Sequence, residues 1–408
     1  MRFSKSAFIV TRNVRVEITL IKYLWVLILL PKPLQLCVFG IVAVRLLHKK
    51  LVRLPIDNIA LLLCGGAMVQ LAAIVVQVVF GNPSFDRVAA ALNTCLMWFI
   101  GAVFYWNARV EPWNSNELRL LVRYLLLDLL ILALLYCAYL IYPNVSFSFL
   151  GQTYKLSGGD FMDLGEGSAG YRFRGFMETY LSPSHLFLVA VPIVALGVEK
   201  GCVKKRMAFF IVIAAYVAVM ESHSRMGMIT CTAMILLMVF HLLAVVDEKG
   251  QLSRVFAILC FFALVAFCVS HWSGLQEYFS NFFNSRTGSN SLRFSLYRES
   301  LRMVLENQPL IGMGIKYSYT IAVPYGSHCT YIGLLYKGGL IGGLLIFSGL
   351  VGIIRRCLTA EFATPVKVIL LLYPVFLLFA DLDSANWVIA IAFIAWGIAC
   401  SYSRGSER

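Results

Sequence analysis

Charge is what this chain has least of. Of its 408 residues 14% are charged and 60% hydrophobic, and mean hydropathy is +0.79. Folded as a soluble domain, such a chain would expose large apolar patches, so the soluble classes are excluded. The eleven cysteines show no CxxC or other ligand spacing and sit mostly within apolar runs. They read as small packing residues, and no disulfide is implied. Low-complexity linkers and solenoid repeats are absent, which leaves residues 1–408 as a single transmembrane domain. No cleavable signal peptide is expected either, because the first apolar run leads into Pro31-Lys32-Pro33 and not into a small-residue cleavage site.

What the chain has in abundance is apolar runs of helical length. A membrane-spanning helix needs about 20 apolar residues, and the pattern is helical and not the alternation of a β-barrel. The expected fold is an all-α, polytopic integral membrane protein of about 12 spans, at roughly 18–30, 34–47, 59–80, 88–106, 120–142, 181–198, 207–220, 226–246, 255–271, 330–354, 366–380 and 387–401. The first two are short, and Pro31 and Pro33 leave open one long kinked helix in their place.

Acidic residues are scarce: Asp and Glu number 21 against 35 Lys and Arg, a net charge of +14. With twelve spans, the short connections on one side carry Lys49, Lys50, Arg53, Lys200, Lys204, Lys205, Arg206, Arg355 and Arg356, and those on the other only Lys32, Arg87 and Arg225. The positive-inside rule makes the first side cytoplasmic, with both termini there. Topology thus accounts for most of the positive charge, and nucleic acid is not needed as a partner.

Two connections are long, 143–180 and 272–329, both expected outside, and loops of that length are usually functional. They hold cations that topology does not ask for: Lys155, Arg172 and Arg174 in the first, and Arg286, Arg293, Arg298, Arg302 and Lys316 in the second. Arginine on an otherwise cation-poor face suits an anion, because its planar fork makes paired charge-assisted bonds to phosphate. Arg225, in the tight turn Glu221-Ser-His-Ser-Arg-Met-Gly227, reads either as a snorkelling residue salt-bridged to Glu221 or as a phosphate clamp. The spacing of Ser291–Glu306 predicts an amphipathic helix, with Arg298 and Arg302 suited to lipid headgroups and Arg293 sharing a face with Tyr297 and Leu301. His328 ends the second loop at the mouth of a span, where an ionisable ring is either a satisfied interfacial histidine or functional. Beyond it, Gly338, Gly339, Gly342 and Gly343 have the spacing of close helix packing. The acidic group Asp160, Asp163 and Glu166 matches no calcium-loop spacing, and neither a metal nor a cofactor is expected.

These segments carry a resemblance. His328-Cys329, nine residues and Gly339-Leu-Ile-Gly342 resemble the histidine and GxxG signature of the bacterial O-antigen polymerase and O-antigen ligase superfamily, with Cys329 departing from its usual amide or hydroxyl residue. Ser222-His-Ser-Arg225 resembles that family's arginine turn, Leu292-Arg293 with Gln308-Pro-Leu-Ile-Gly-Met-Gly314 its arginine and PLxGxG block, and Arg172–Pro183 the segment before its middle spans. The resemblance implies an inverting, metal-independent glycosyltransferase in the bacterial inner membrane, its site and both long loops periplasmic. The donor would be a glycan on undecaprenyl pyrophosphate, His328 the catalytic residue, and Arg225 and Arg293 the pyrophosphate ligands. Arg172, Arg174, Glu178 and Arg286 are candidates for donor or acceptor binding, and a chain-length regulator is a candidate partner beside the bilayer. A base near neutral pK and a stabilised pyrophosphate leaving group are what this chemistry requires. The basic first loop favours a polymerase, which joins lipid-linked repeat units. A ligase acting on lipid A core shares the donor chemistry, and a transporter of an anionic solute or lipid remains the non-enzymatic alternative.

Overall fold

The computed structural model describes residues 15–50, 55, 57–158, 172–246, 287–320 and 323–402. The expected span at 255–271, Arg286, the acidic group Asp160, Asp163 and Glu166, and the tail from 403 lie outside the described residues.

The protein is all-α. Its helices are α1 (Val16–Lys22), α2 (Leu24–Ile28), α3 (Lys32–Lys50), α4 (Asn58–Phe80), α5 (Phe85–Val110), α6 (Ser115–Ile141), α7 (Ser182–Glu199), α8 (Lys205–Met220), α9 (Arg225–Val246), α10 (Thr287–Asn307), α11 (Thr330–Thr359), α12 (Thr364–Phe376) and α13 (Asn386–Ser401). The expected span 18–30 is divided at Tyr23 into α1 and α2, every other expected span among the described residues coincides with a helix, and α4, α5, α6, α7 and α11 are long and apolar enough to cross a membrane. At the N-terminus the chain breaks rather than bends: α2 ends at Ile28 and α3 starts afresh at Lys32, with Pro33 in its first turn, where a missing N–H costs nothing. α12 stops at Phe376, short of the expected 380, and runs through Pro374.

Burial separates core from lipid-facing helices. α13 is buried from Asn386 to Cys400 and α7 from Ser182 to Val198, so both are apolar all round and lie inside the bundle. α4 has two faces: Leu63, Gly66, Ala67, Gln70 and Ile74 are buried, and Leu61, Met68, Val75 and Val79 are exposed. Its inner face meets α11 so closely that a Cβ on Gly66 would lie 2.8 Å from the Gly342 carbonyl oxygen. Small residues let two backbones approach in this way.

Gly339 does something else. It breaks α11 with φ 59° and ψ −161°, a conformation essentially closed to side chains. The freed backbone groups are taken up by the loop after α10. Leu340 N–H donates to Pro309 O (2.8 Å) and Ile341 N–H to Leu310 O (3.0 Å), while Met313 and Gly314 N–H groups donate to the carbonyls of Tyr336 (2.8 Å) and Lys337 (3.0 Å). A Cβ on Gly339 would lie 2.5 Å from the Leu310 carbonyl. Close helix packing therefore accounts for Gly342, whereas Gly339 opens the helix so that the Pro309–Gly314 loop can dock, because unpaired backbone groups are not tolerated at such depth.

The first long connection is ordered by two short antiparallel pairs, β1 (Ser146–Phe149) with β2 (Gln152–Lys155) and β3 (Ser157–Gly158) with β4 (Arg172–Phe173). α10 buries Leu296, Ser300 and Val304 and exposes Phe294, Arg298 and Leu305, so one stripe of it faces the protein. Val304 packs with Met313 and Tyr336, and Ser300 Oγ accepts from Gly326 N–H (2.8 Å), so α10 lies against α11 and the loop leading into it.

Candidate functional site

His328 occupies the turn before α11 with φ +65°, a left-handed conformation uncommon for a side-chain-bearing residue. Two distant segments hold its backbone there. Its N–H donates to Asp381 Oδ2 (3.1 Å), and its carbonyl accepts from the Tyr297 hydroxyl on α10 (2.8 Å). The residue is half-buried, while the adjoining Cys329 is buried at the N-cap of α11 with its sulfur against the Tyr331 and Ile332 amides. That is the place where the amide or hydroxyl residue of the resembled motif would cap the helix. Burial pushes the Cys329 thiol up, so it stays neutral.

Asp381 reaches His328 because the 377–385 segment wraps the start of α11. Thr330 N–H donates to the carbonyls of Leu377 (3.0 Å) and Ala380 (3.1 Å), and Thr330 Oγ1 accepts from Leu382 N–H (2.8 Å). A charge network lies beneath. Lys316 Nζ is 3.8 Å from both Asp381 Oδ2 and Asp383 Oδ1, and Lys337, from just before the break in α11, donates to Asp383 Oδ2. Burial pushes the Asp383 carboxyl up, but Lys316 and Lys337 outweigh it and hold the group well below the usual carboxylate range. Lys32 extends the network by donating to the Ser384 carbonyl (2.7 Å).

The arginines converge from three segments. Phe173 N–H donates to the Glu221 carbonyl (3.0 Å), which ties β4 to the α8–α9 turn and brings Arg172 to Arg225. Arg225 opens α9, and the charges that act on it are those of Arg293 on α10 and of Arg172, with the Tyr180 phenol beside them. Arg172 is buried, its guanidinium 4.9 Å from the Tyr180 ring. Glu221, the sequence-based partner for Arg225, lies 3.7 Å from His223. Arg293 stands one turn before Tyr297, whose phenol feels its charge and is raised by burial. His328, Tyr297, Arg293, Arg225 and Arg172 thus form one continuous neighbourhood. Like charges held together in a partly desolvated place favour an anion between them, and Arg225 adds the positive end of α9.

The remaining candidates lie elsewhere. Arg174 donates to the Glu178 carbonyl, and the Glu178 carboxylate accepts from Gln35 (3.4 Å) and Trp387 (3.2 Å), fastening the first loop to α3 and α13. Burial pushes the Glu178 carboxyl up, opposed by Lys32 and its two donors. Arg298 and Arg302 are exposed and pair along their own helix, with Glu299 (3.4 Å) and Glu306 (2.7 Å) respectively. Sequence reasoning missed Asp381, Asp383 and Lys337. Their signal was present: Lys337 is a lone charge inside an apolar run, and Asp381-Leu-Asp383 interrupts another, where ionisable groups are costly.

Residues 209–347 match the family model described as O-antigen ligase. That segment, about a third of the chain, matches the O-antigen polymerase and ligase superfamily. Arg225, Arg293, Tyr297, His328, Lys337 and Gly339 fall inside the matched segment; Arg172, Glu178, Asp381 and Asp383 fall outside it. The apolar helices and the match together support an integral membrane protein, and members of the matched family are glycosyltransferase-like. No curated protein matches the chain.

Proposed function

We propose that the protein transfers a glycan from a lipid pyrophosphate to a sugar hydroxyl, with His328, Arg225 and Arg293 as its working residues. The carrying observation is the convergence of Arg172, Arg225 and Arg293 beside a histidine whose backbone is pinned from two sides. In the reaction the acceptor oxygen attacks the anomeric carbon while its proton passes to the His328 imidazole. The bond from that carbon to the pyrophosphate oxygen breaks on the opposite face, so configuration inverts. The electron pair leaves with the pyrophosphate, whose growing charge the guanidinium groups neutralise. Asp381 and Tyr297 act through the backbone of His328, fixing where it stands.

The finer reading is a polymerase in the bacterial inner membrane, with the site facing the periplasm and undecaprenyl pyrophosphate as the carrier. Burial of Arg172 beside the arginine pair supports it, since the first loop then contributes to the pocket in which an acceptor repeat unit must lie. A lipopolysaccharide gel of a deletion strain tests this. A polymerase predicts core capped with a single repeat unit; bare core with polymer stored on the carrier lipid would mean a ligase instead.

A further inference from the structure

At the other end of α11 the molecule has a second feature, independent of glycan transfer. The helix continues for 20 residues past the break at Gly339, so its last turn lies roughly 30 Å beyond that break. There, against the start of α4, a cleft of about 840 Å³ opens between α11 and α12. Its walls are apolar where Ile59, Gly352 and Phe362 line it and cationic where Arg355, Arg356 and Lys367 do, with Glu361 the one acidic group in the lining. Arg356 is committed to the protein: it donates to both oxygens of Asp57 (2.8 and 2.6 Å) and to the Tyr105 hydroxyl (2.9 Å). Arg355 and Lys367 differ, for neither makes a side-chain hydrogen bond or ion pair with the described residues.

We propose that this cleft binds the phosphodiester headgroup of an anionic membrane lipid. The position of Arg355 decides for a lipid over a free phosphate. Leu344, Phe347, Val351 and Leu358 are exposed along α11, and Arg355 stands four residues after Val351 and three before Leu358, on the same stripe. An acyl chain laid along that stripe brings its headgroup to Arg355 and, across the cleft, to Lys367. Two cations beside an apolar wall suit a negatively charged lipid and give no advantage to a zwitterionic one.

The test uses the full chain in detergent, with lipid retention read by native mass spectrometry in titrations of phosphatidylglycerol and of phosphatidylcholine. Phosphatidylglycerol should be retained in preference. Arg355→Gln and Lys367→Gln should each weaken its retention about fivefold and the double variant about twentyfold, following the usual contribution of one basic residue near an anionic membrane surface. Retention of phosphatidylglycerol by the double variant at the wild-type level would overturn the assignment, as would equal retention of phosphatidylcholine. Displacement of the lipid by millimolar glycerol 3-phosphate would also overturn it, by showing that a soluble phosphate suffices.

Discussion

Two groups of arginine stand at opposite ends of this molecule and are built on opposite principles. Arg109 and Arg356 close on Asp57, whose side chain is fully buried and which also caps α4 by accepting from Ile59 N–H (2.9 Å). There the charges answer one another, and the result is a tie between α4, α5 and α11. Arg172, Arg225 and Arg293 are instead brought within reach of each other, two from loop or helix-start positions and one from an amphipathic helix. Assembling like charges works against folding, so their convergence is understandable where an anion is to be bound. The lesson concerns arrangement and not residue type: the same guanidinium ties helices together beside a carboxylate and, gathered with other guanidiniums, is what the proposed anion site would use.

The comparison breaks most sharply at the residue next to the second group. His328→Asn keeps a side chain that tolerates the left-handed backbone, so the contacts to Asp381 and Tyr297 should survive while the imidazole is lost. Transfer by purified protein should fall by about 10²- to 10⁴-fold with thermal stability unchanged. Next come Arg225→Lys and Arg293→Lys, which retain charge but not the planar fork. Each should lower transfer by about 10- to 100-fold, the worth of a charge-assisted hydrogen bond that lysine reproduces poorly. Asp57→Asn probes the other end: the helix cap is kept, the countercharge to Arg109 and Arg356 is not. Both arginines are partly exposed, so the expected loss is about 1–2 kcal/mol of stability on denaturation, with transfer per folded molecule unaltered. The smallest effect belongs to Arg298→Ala and Arg302→Ala, whose pairs are exposed and screened by solvent, and whose transfer rates should stay within about twofold of wild type.

The helices were legible in the sequence because an apolar run of spanning length has few alternatives in a membrane; α12 ended at Phe376, short of the expected 380. The face of α10 was half legible, since the period gave a helix but not which stripe would meet α11. Gly339 was misread because glycines spaced for helix contact and a glycine that breaks a helix look alike until the partner backbone is known; here that partner is the Pro309–Gly314 loop. His328, Arg225 and Arg293 were nameable by type and place, but their common neighbourhood depends on Phe173 bonding to Glu221 and on Tyr297 bonding to His328. Asp381 lies 53 residues from the histidine it holds, a pairing that only the wrapping of α11 by the 377–385 segment creates.

The claim at the centre of this account is that the arginines hold the pyrophosphate and His328 acts on what they hold. Binding of undecaprenyl pyrophosphate to the purified protein, measured beside turnover of a lipid-linked glycan, separates the two roles. Arg225→Gln and Arg293→Gln should each weaken binding by at least about tenfold, and His328→Asn should bind as the wild type does yet release no carrier pyrophosphate from donor and acceptor. Wild-type binding by both arginine variants, or turnover by His328→Asn, would contradict it.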